Sequence, residues 1–435
     1  MIVWCLAAMP ALAPADEPAV PRDTSASTIK AFNEFSWKLF GRVAEKNRNV
    51  VISPIGAATV LAIAADGARG PTREEIVAAL GLPQDDASIS DLMKHWKADV
   101  LDDIANDSAG EWRFAQSIWV DSKLSLDKRF AARWKADLGT EVRPARFSRA
   151  PEGVARAMNE WSDRQTRGAI KSVVDAGSFD RETSLFLVSA VFLEKKWAHT
   201  FKPENTAAKA FHLNETESVR HPLMFQRNRF HLVEAEDFQA IELPYKDSAA
   251  AMVVILPRRN DGLEKLESSL DSDKLTSLWA ALQKAKPVKS TSGGGFFSVE
   301  SSPPEDSEPL ETSSWDIDTE LTLPRFQIRS KIGLTNGLKS EGIQTAFDRG
   351  AGDFAGLLTR TPEIPVFLTE VMQHAMIEVD EQGTRAAAVT TGGFGGGGEP
   401  PKRAVFRADH PFLFVIVHRK TGAVLFLGRL CNPSE

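Results

Sequence analysis

The sequence predicts an α+β fold with large antiparallel or mixed sheets. Two observations point there. Amphipathic helical segments crowd the first part of the chain, and strand-like runs with few helices between them fill the rest, which argues against a βαβ array. The tail beyond the glycine-rich stretch Gly392–Gly398 consists mainly of two apolar runs, Phe412–Val417 and Ala423–Leu430. That tail is too short to bury a core of its own, so it has to pair back into the body that precedes it. The chain has 435 residues, 43% hydrophobic and 26% charged, which is ample for a large core. Length alone admits two or three domains, and no internal repeat divides the chain.

The elements follow in order. Ile29, Phe32, Phe35, Leu39, Phe40 and Val43 recur at helical spacing over 27–45. Val50-Val51-Ile52 reads as a short strand. Ser53-Pro54 then supplies a helix cap and a first-turn proline, and the helix Ile55–Ala65 is apolar nearly all round, hence central. Another helix starts at Thr72 and stops near Leu80-Gly81. Phe114–Val120 reads as a strand, Val154–Thr166 as an amphipathic helix and Ser184–Leu193 as a buried strand. Met252–Leu256 and Leu321–Ile328 read as strands, the region 274–284 as a helix, and Leu334–Leu338 as the start of a short helix. Residues 291–320 hold eight acidic residues and no Lys or Arg, with clustered Ser, Pro and Gly. They read as a solvated acidic loop inserted over 287–320, which costs little because closure entropy grows slowly with length.

The bulk properties exclude several classes. A net charge of −7 and no basic stripe argue against nucleic acid. No apolar run reaches the length of a membrane span. The cysteines are Cys5 and Cys431 only, which excludes a disulfide framework and argues against a redox role; Cys431 reads as a small buried hydrophobe or a bystander. Residues 1–15 are apolar and end in Ala13-Pro14-Ala15, a small-x-small pattern like the end of a secretory signal, although the basic segment that usually precedes it is missing. The chain is therefore expected to be extracytoplasmic, secreted or periplasmic.

Catalytic chemistry is not nominated by any motif. The eight histidines are scattered with no zinc spacing, so neither a metal nor a cofactor is expected. There is no nucleophile elbow and no phosphate-binding loop. Gly393–Gly398 fits a dinucleotide pattern, but Glu399-Pro400-Pro401 forbids the helix that must follow. What remains is the segment Glu381-Gln382-Gly383-Thr384-Arg385-Ala386-Ala387-Ala388-Val389-Thr390-Thr391. It begins as a possible strand and decays into glycine, yet is anchored at both ends by the body and the returning tail. Side chains alternate faces in a strand. Arg385 must face solvent, so Thr384, Ala386, Ala388 and Thr390 would face a core. Small residues suit a strand that slides into an existing sheet, where a bulky or charged one would jam. Fifteen residues from Gly383 would span roughly 50 Å when extended.

These residues, with others in order along the chain, resemble the serpin family over nearly everything after about residue 27. The hinge Glu381-x-Gly383-Thr384-x-Ala386-Ala387-Ala388 is similar to the family's inhibitory hinge. The run Ala408-Asp409-His410-Pro411-Phe412-Leu413-Phe414, continuing through Thr421-Gly422 to Leu427-Gly428-Arg429, resembles its C-terminal signature. Asn49–Pro54, Asn159-x-Trp161, Trp197 after the Leu187–Phe192 strand, and Leu323-Pro324-Arg325-Phe326 add further matches.

The resemblance implies one domain over 24–435, with three β-sheets, about nine helices and an exposed reactive-centre loop over 382–405. It implies an inhibitor, not an enzyme: a serine or cysteine protease cuts the loop, is held as an acyl-enzyme, and is trapped when the loop enters the central sheet. It also implies a monomer whose partner is the target protease. The family's usual spacing puts the reactive bond at Gly397-Gly398, with Phe394 as the alternative. Glycine suits elastase-like or subtilisin-like proteases, and Phe394 a chymotrypsin-like one. The resemblance further implies a tryptophan, Trp197, at the top of the opening sheet, an ion pair of Arg325 and Glu381 at the surface where the loop enters, and a shutter at Ser53 and Gln373. Here the chain departs from the family. Gln373 stands for the usual histidine, with His374 on the opposite face. Ser189 stands where asparagine is usual and Gly56 where serine is. Those departures and the glycine tract suggest the alternative, a non-inhibitory binding or chaperone protein of the same fold.

Overall fold

The computed structural model describes residues 24–84, 88–105, 110–287, 313–384 and 403–435. The leader-like segment 1–15, most of the acidic insert, and Arg385, Ala386, Ala387, Ala388, Phe394, Gly397 and Gly398 lie outside the described residues. Among the described residues there are ten α-helical segments. Ile89–Trp96 runs through a π turn, Lys97–Leu101, into Asp102–Ala105, so these two form one continuous helix.

The six-stranded sheet positions the site. Its order is Phe326–Gly333, Leu368–Val379, Leu185–Lys196, Gly110–Asp121, Glu141–Ala145, with the short strand Gly383–Thr384 added beside the end of Leu185–Lys196. The helix Pro54–Asp66 lies under one face. Its residues Pro54–Ala65 are all buried, as an apolar surface on every side requires. It touches Gly110–Asp121, Leu185–Lys196, Leu368–Val379 and Val424–Leu430. The helix Pro151–Gln165 covers the other face through a second core containing Met158, Trp161, Phe186, Val188 and Ala190. Covering both faces explains why Leu185–Leu193 is apolar almost without alternation.

The remaining strands form one ten-stranded sheet, so hydrogen bonding joins into two sheets what the resemblance implies as three. The cause is one long strand, Ser218–Glu234. Its first residues pair with Ala207–His212, its last with Phe238–Pro244, and Ser313–Pro324 pairs along 223–234. The tail returns as expected. Phe412–His418 and Val424–Leu430 pair with each other, with Ala250–Pro257 and with Val50–Ile52.

Three readings need correction. Leu321–Ile328 is not one strand: the chain leaves the ten-stranded sheet at Pro324 and joins the six-stranded sheet at Phe326, with Arg325 at the break. The acidic insert ends earlier than 320, because Ser313–Pro324 is a strand. Its Asp316 and Asp318 pair across the ladder with Arg229 and Arg227. Asp316-Ile317-Asp318-Thr319-Glu320 alternates with period two, a strand pattern that acidic composition concealed. Likewise the loop expected over 382–405 carries strand at both ends, at Gly383–Thr384 and at Ala404–Arg407, which pairs parallel to 319–322.

Candidate functional site

The chain leaves Leu368–Val379, turns through Asp380–Gln382, and starts back. The Asp380 carboxylate accepts the Gln382 and Gly383 amides at 2.8 and 3.2 Å, and the Asp380 amide donates to the Gly383 carbonyl at 2.9 Å. Gly383 and Thr384 then pair antiparallel with Lys196 and Lys195. Glycine is required at 383 by close approach: a Cβ there would sit 2.1 Å from the Lys195 carbonyl oxygen. The turn is held by the segment after Leu185–Lys196. The Trp197 indole donates to the Asp380 carbonyl at 3.0 Å, and the Trp197 and Phe201 amides donate to the Gln382 and Glu381 carbonyls at 2.9 and 2.8 Å. Trp197 is buried and stacked on Tyr245 at 4.9 Å.

Arg325 meets Glu381 with its Nε 2.8 and 2.9 Å from the two carboxylate oxygens. This is not the surface pair expected from sequence, because the Glu381 side chain is only 6% exposed while that of Arg325 is 45% exposed. Thr206 donates its hydroxyl to the same carboxylate. Burial works to raise the Glu381 pKa, but the hydrogen bonds from Arg325 and Thr206 prevail and hold it below the ordinary glutamate value. Stability from this group is therefore full above the ordinary glutamate range and is lost as pH falls through the lowered value. Arg325→Ala leaves a buried carboxylate without its cation. It should cost about 1–3 kcal/mol near neutral pH, a penalty that shrinks as pH falls and the carboxylate takes up a proton, as followed by urea titrations across pH 3–7.

Below this turn a seam runs between two parallel strands. Leu368–Val379 pairs with Leu185–Lys196 only as far as Met376↔Phe192. Gln116, Ser189 and Gln373 stand in one register row, facing the helix Pro54–Asp66. Gln373 accepts the Ser53 amide at 3.0 Å and donates to the Ser53 carbonyl at 2.6 Å. The Ser53 hydroxyl is not the helix cap that the sequence suggests. It donates to the Leu425 carbonyl at 2.9 Å, which ties the helix start to the returning tail. Ser189 Oγ and both polar atoms of Gln116 are buried with no hydrogen-bond partner among the described residues. Gly56 fits the smaller Ser189: a Cβ on it would come within 2.4 Å of Ser189 Oγ. Gly56→Ser should thus destabilise by about 1–3 kcal/mol through overpacking, and Ser189→Ala should relieve part of that. A double-mutant cycle in urea measures the coupling, and simple additivity would contradict the contact. His374 lies on the opposite face, where its Nε2 is 2.9 Å from the Val173 carbonyl. Burial pushes its pKa down to about 4.

The structure thus brings Trp197, Arg325, Glu381 and Gly383 together at the top of the seam, and Ser53 with Gln373 lower down. Sequence reasoning missed Thr206, Asp380, Tyr245, Lys195 and Gln116, none of which carries a local signal. Cys431 is half-buried, and burial pushes its thiol up to about 11, which makes it unreactive.

Comparison with known proteins places this arrangement. The profile of the family described as "Serpin (serine protease inhibitor)" matches residues 30–291 and 306–433. The chain belongs to the serpin family. Human Serpin B10 is 27% identical over 429 residues, covering 94% of this chain and all of that protein. Tengpin, a thermophilic serpin solved in its native state, superposes with a TM-score of 0.76 at 23% identity, covering 93% of this chain and 94% of tengpin. Human thyroxine-binding globulin, solved in complex with thyroxine, superposes equally well (TM-score 0.76, 23% identity, 94% and 100% covered). Most serpins are protease inhibitors rather than enzymes, and they generally bind target proteases. The likeness to a thyroxine-binding protein means that the fold alone does not decide the activity.

Proposed function

We propose that this serpin is a suicide-substrate inhibitor of serine proteases, trapping them by insertion of its cleaved loop into the six-stranded sheet. The observation that carries the reading is the direction of the chain at Gly383–Thr384. It runs antiparallel to Leu185–Lys196 and stands at the mouth of a seam whose two edges are parallel to each other. A strand continuing from Thr384 down that seam would be antiparallel to both edges. One parallel ladder would become two antiparallel ones, which are the more stable per residue. The small residues Ala386, Ala387 and Ala388 suit such an insertion, and Gly397-Gly398 or Phe394 would be the bond attacked. The target would be elastase-like, subtilisin-like or chymotrypsin-like. Export from the cytoplasm belongs to the same reading and is supported by the apolar segment ending Ala13-Pro14-Ala15.

A second reading, a non-inhibitory binding protein, is favoured by the unpaired polar atoms of Gln116 and Ser189 in the seam. Incubation with one protease of each of those three classes, followed by denaturing electrophoresis, separates the two. A covalent adduct larger than either protein is expected. Clean cleavage without an adduct across the panel would refute inhibition of those classes, and mass spectrometry of the released C-terminal peptide locates the bond.

A further inference from the structure

A cleft of about 540 Å³ opens on the outer face of the six-stranded sheet, beside the helix Pro151–Gln165. One wall is the segment 168–172, with Lys171 and Ser172. The other is formed by Arg329 and Lys331, with His374 and Met376 from the neighbouring strand. Its size is that of a small-ligand site. No Asp or Glu lines it, although the chain carries a net charge of −7. Other arginines of this fold, such as Arg227, Arg229, Arg258 and Arg325, sit against carboxylates. Lys171, Arg329 and Lys331 have no ion-pair partner among the described residues. Arg329 and Lys331 are register partners of Met376 and His374. They share one face, about 7 Å apart along the strand. Lys171 lies on the opposite wall, where it also borders a hollow lined by Glu160 and Asp163.

We propose that this cleft binds a compact anion of the phosphate or sulfate class bearing two or more charges, and that the bound anion ties the seam shut. Three cations around one cleft, with the Ser172 hydroxyl beside them, supply donors for such a group. The two walls belong to opposite sides of the seam. Val173 and Val174 pack in the same core as Phe186, Val188 and Ala190, so Lys171 travels with Leu185–Lys196. Arg329 and Lys331 travel with Phe326–Gly333, which is laddered to Leu368–Val379. The His374–Val173 hydrogen bond already crosses the same line. An anion gripped from both walls adds a second, removable crossing. The tying role rests on the loop-insertion reading above, whereas the site itself does not.

The test uses the intact chain titrated with inorganic pyrophosphate, and separately with sulfate, at an ionic strength held constant with chloride. Saturable binding by calorimetry and a matching rise in unfolding temperature are expected. The double variant Arg329→Gln/Lys331→Gln should bind at least about tenfold more weakly, while Lys209→Gln, exposed on the other sheet, should bind as the parent does. A response no larger than that to chloride, or an undiminished response in the double variant, overturns the site. Protein nicked in its loop is then followed for gain of thermal stability, with and without saturating pyrophosphate. A slower gain with the anion supports the tie, and equal rates overturn it. If nicked protein gains no stability in either condition, loop insertion fails, and the binding titration alone decides the site.

Discussion

Cleavage within 385–402 is expected to raise the thermal unfolding midpoint by about 10 °C or more. The argument is a count of bonds. A strand entering between Leu368–Val379 and Leu185–Lys196 pairs on both sides, so insertion of its first half adds on the order of ten hydrogen bonds, each a net ~0.5–1.5 kcal/mol. A chain of this length gains about 1 °C per kcal/mol. Glycine weakens strands by about 0.5–1 kcal/mol each, so most of the gain should come from Thr384 to Thr391. Calorimetry of the intact and nicked proteins measures it. An unchanged midpoint would contradict insertion.

Under the proposed mechanism, Thr384→Arg is expected to replace adduct formation by simple cleavage. Position 384 is the register partner of Lys195, whose side chain is 1% exposed and donates to the Ile104 carbonyl at 3.2 Å. Arginine there would bring a second cation to a buried one, against both desolvation and like-charge repulsion. A penalty of about 3 kcal/mol slows a step by about a hundredfold, enough for the acyl-enzyme to hydrolyse before the loop has moved. The ratio of adduct to cleaved product on a denaturing gel reads the partition. Thr384→Val should leave it near the parent's. Full retention of adduct by the arginine variant would contradict burial at that position.

Local pattern made much of this molecule legible. The all-apolar helix Pro54–Asp66, the buried run Leu185–Leu193 and the paired tail strands each announce themselves within a dozen residues, because period and composition are local properties. The strand that begins at Gly383–Thr384 was readable from its small residues, whereas the turn through Asp380–Gln382 that aims it was not. What escaped depends on distant partners. Nothing around Arg325 says that the strand-like run Leu321–Ile328 changes sheets there. Nothing around Glu381 says that Thr206 and Arg325 will bury its carboxylate. The alternating acids Asp316 and Asp318 look like solvated loop until Arg229 and Arg227, nearly ninety positions earlier, are seen opposite them. The fit of Gly56 against Ser189 is likewise a relation between two substitutions, invisible at either one.

The position of the tail strands in the ten-stranded sheet has a consequence for synthesis. Val50–Ile52 pairs with Val424–Leu430, and Ala250–Pro257 with Phe412–His418, so residues made more than 150 positions after their partners fill the interior of the sheet. Until they emerge, two inner strand edges stay open, the state most exposed to mispairing with other chains. Completion of the core therefore waits on the synthesis of Phe412–Leu430. A stop codon ahead of Phe412 would delete an interior wall of the protein and leave its loop anchored at one end.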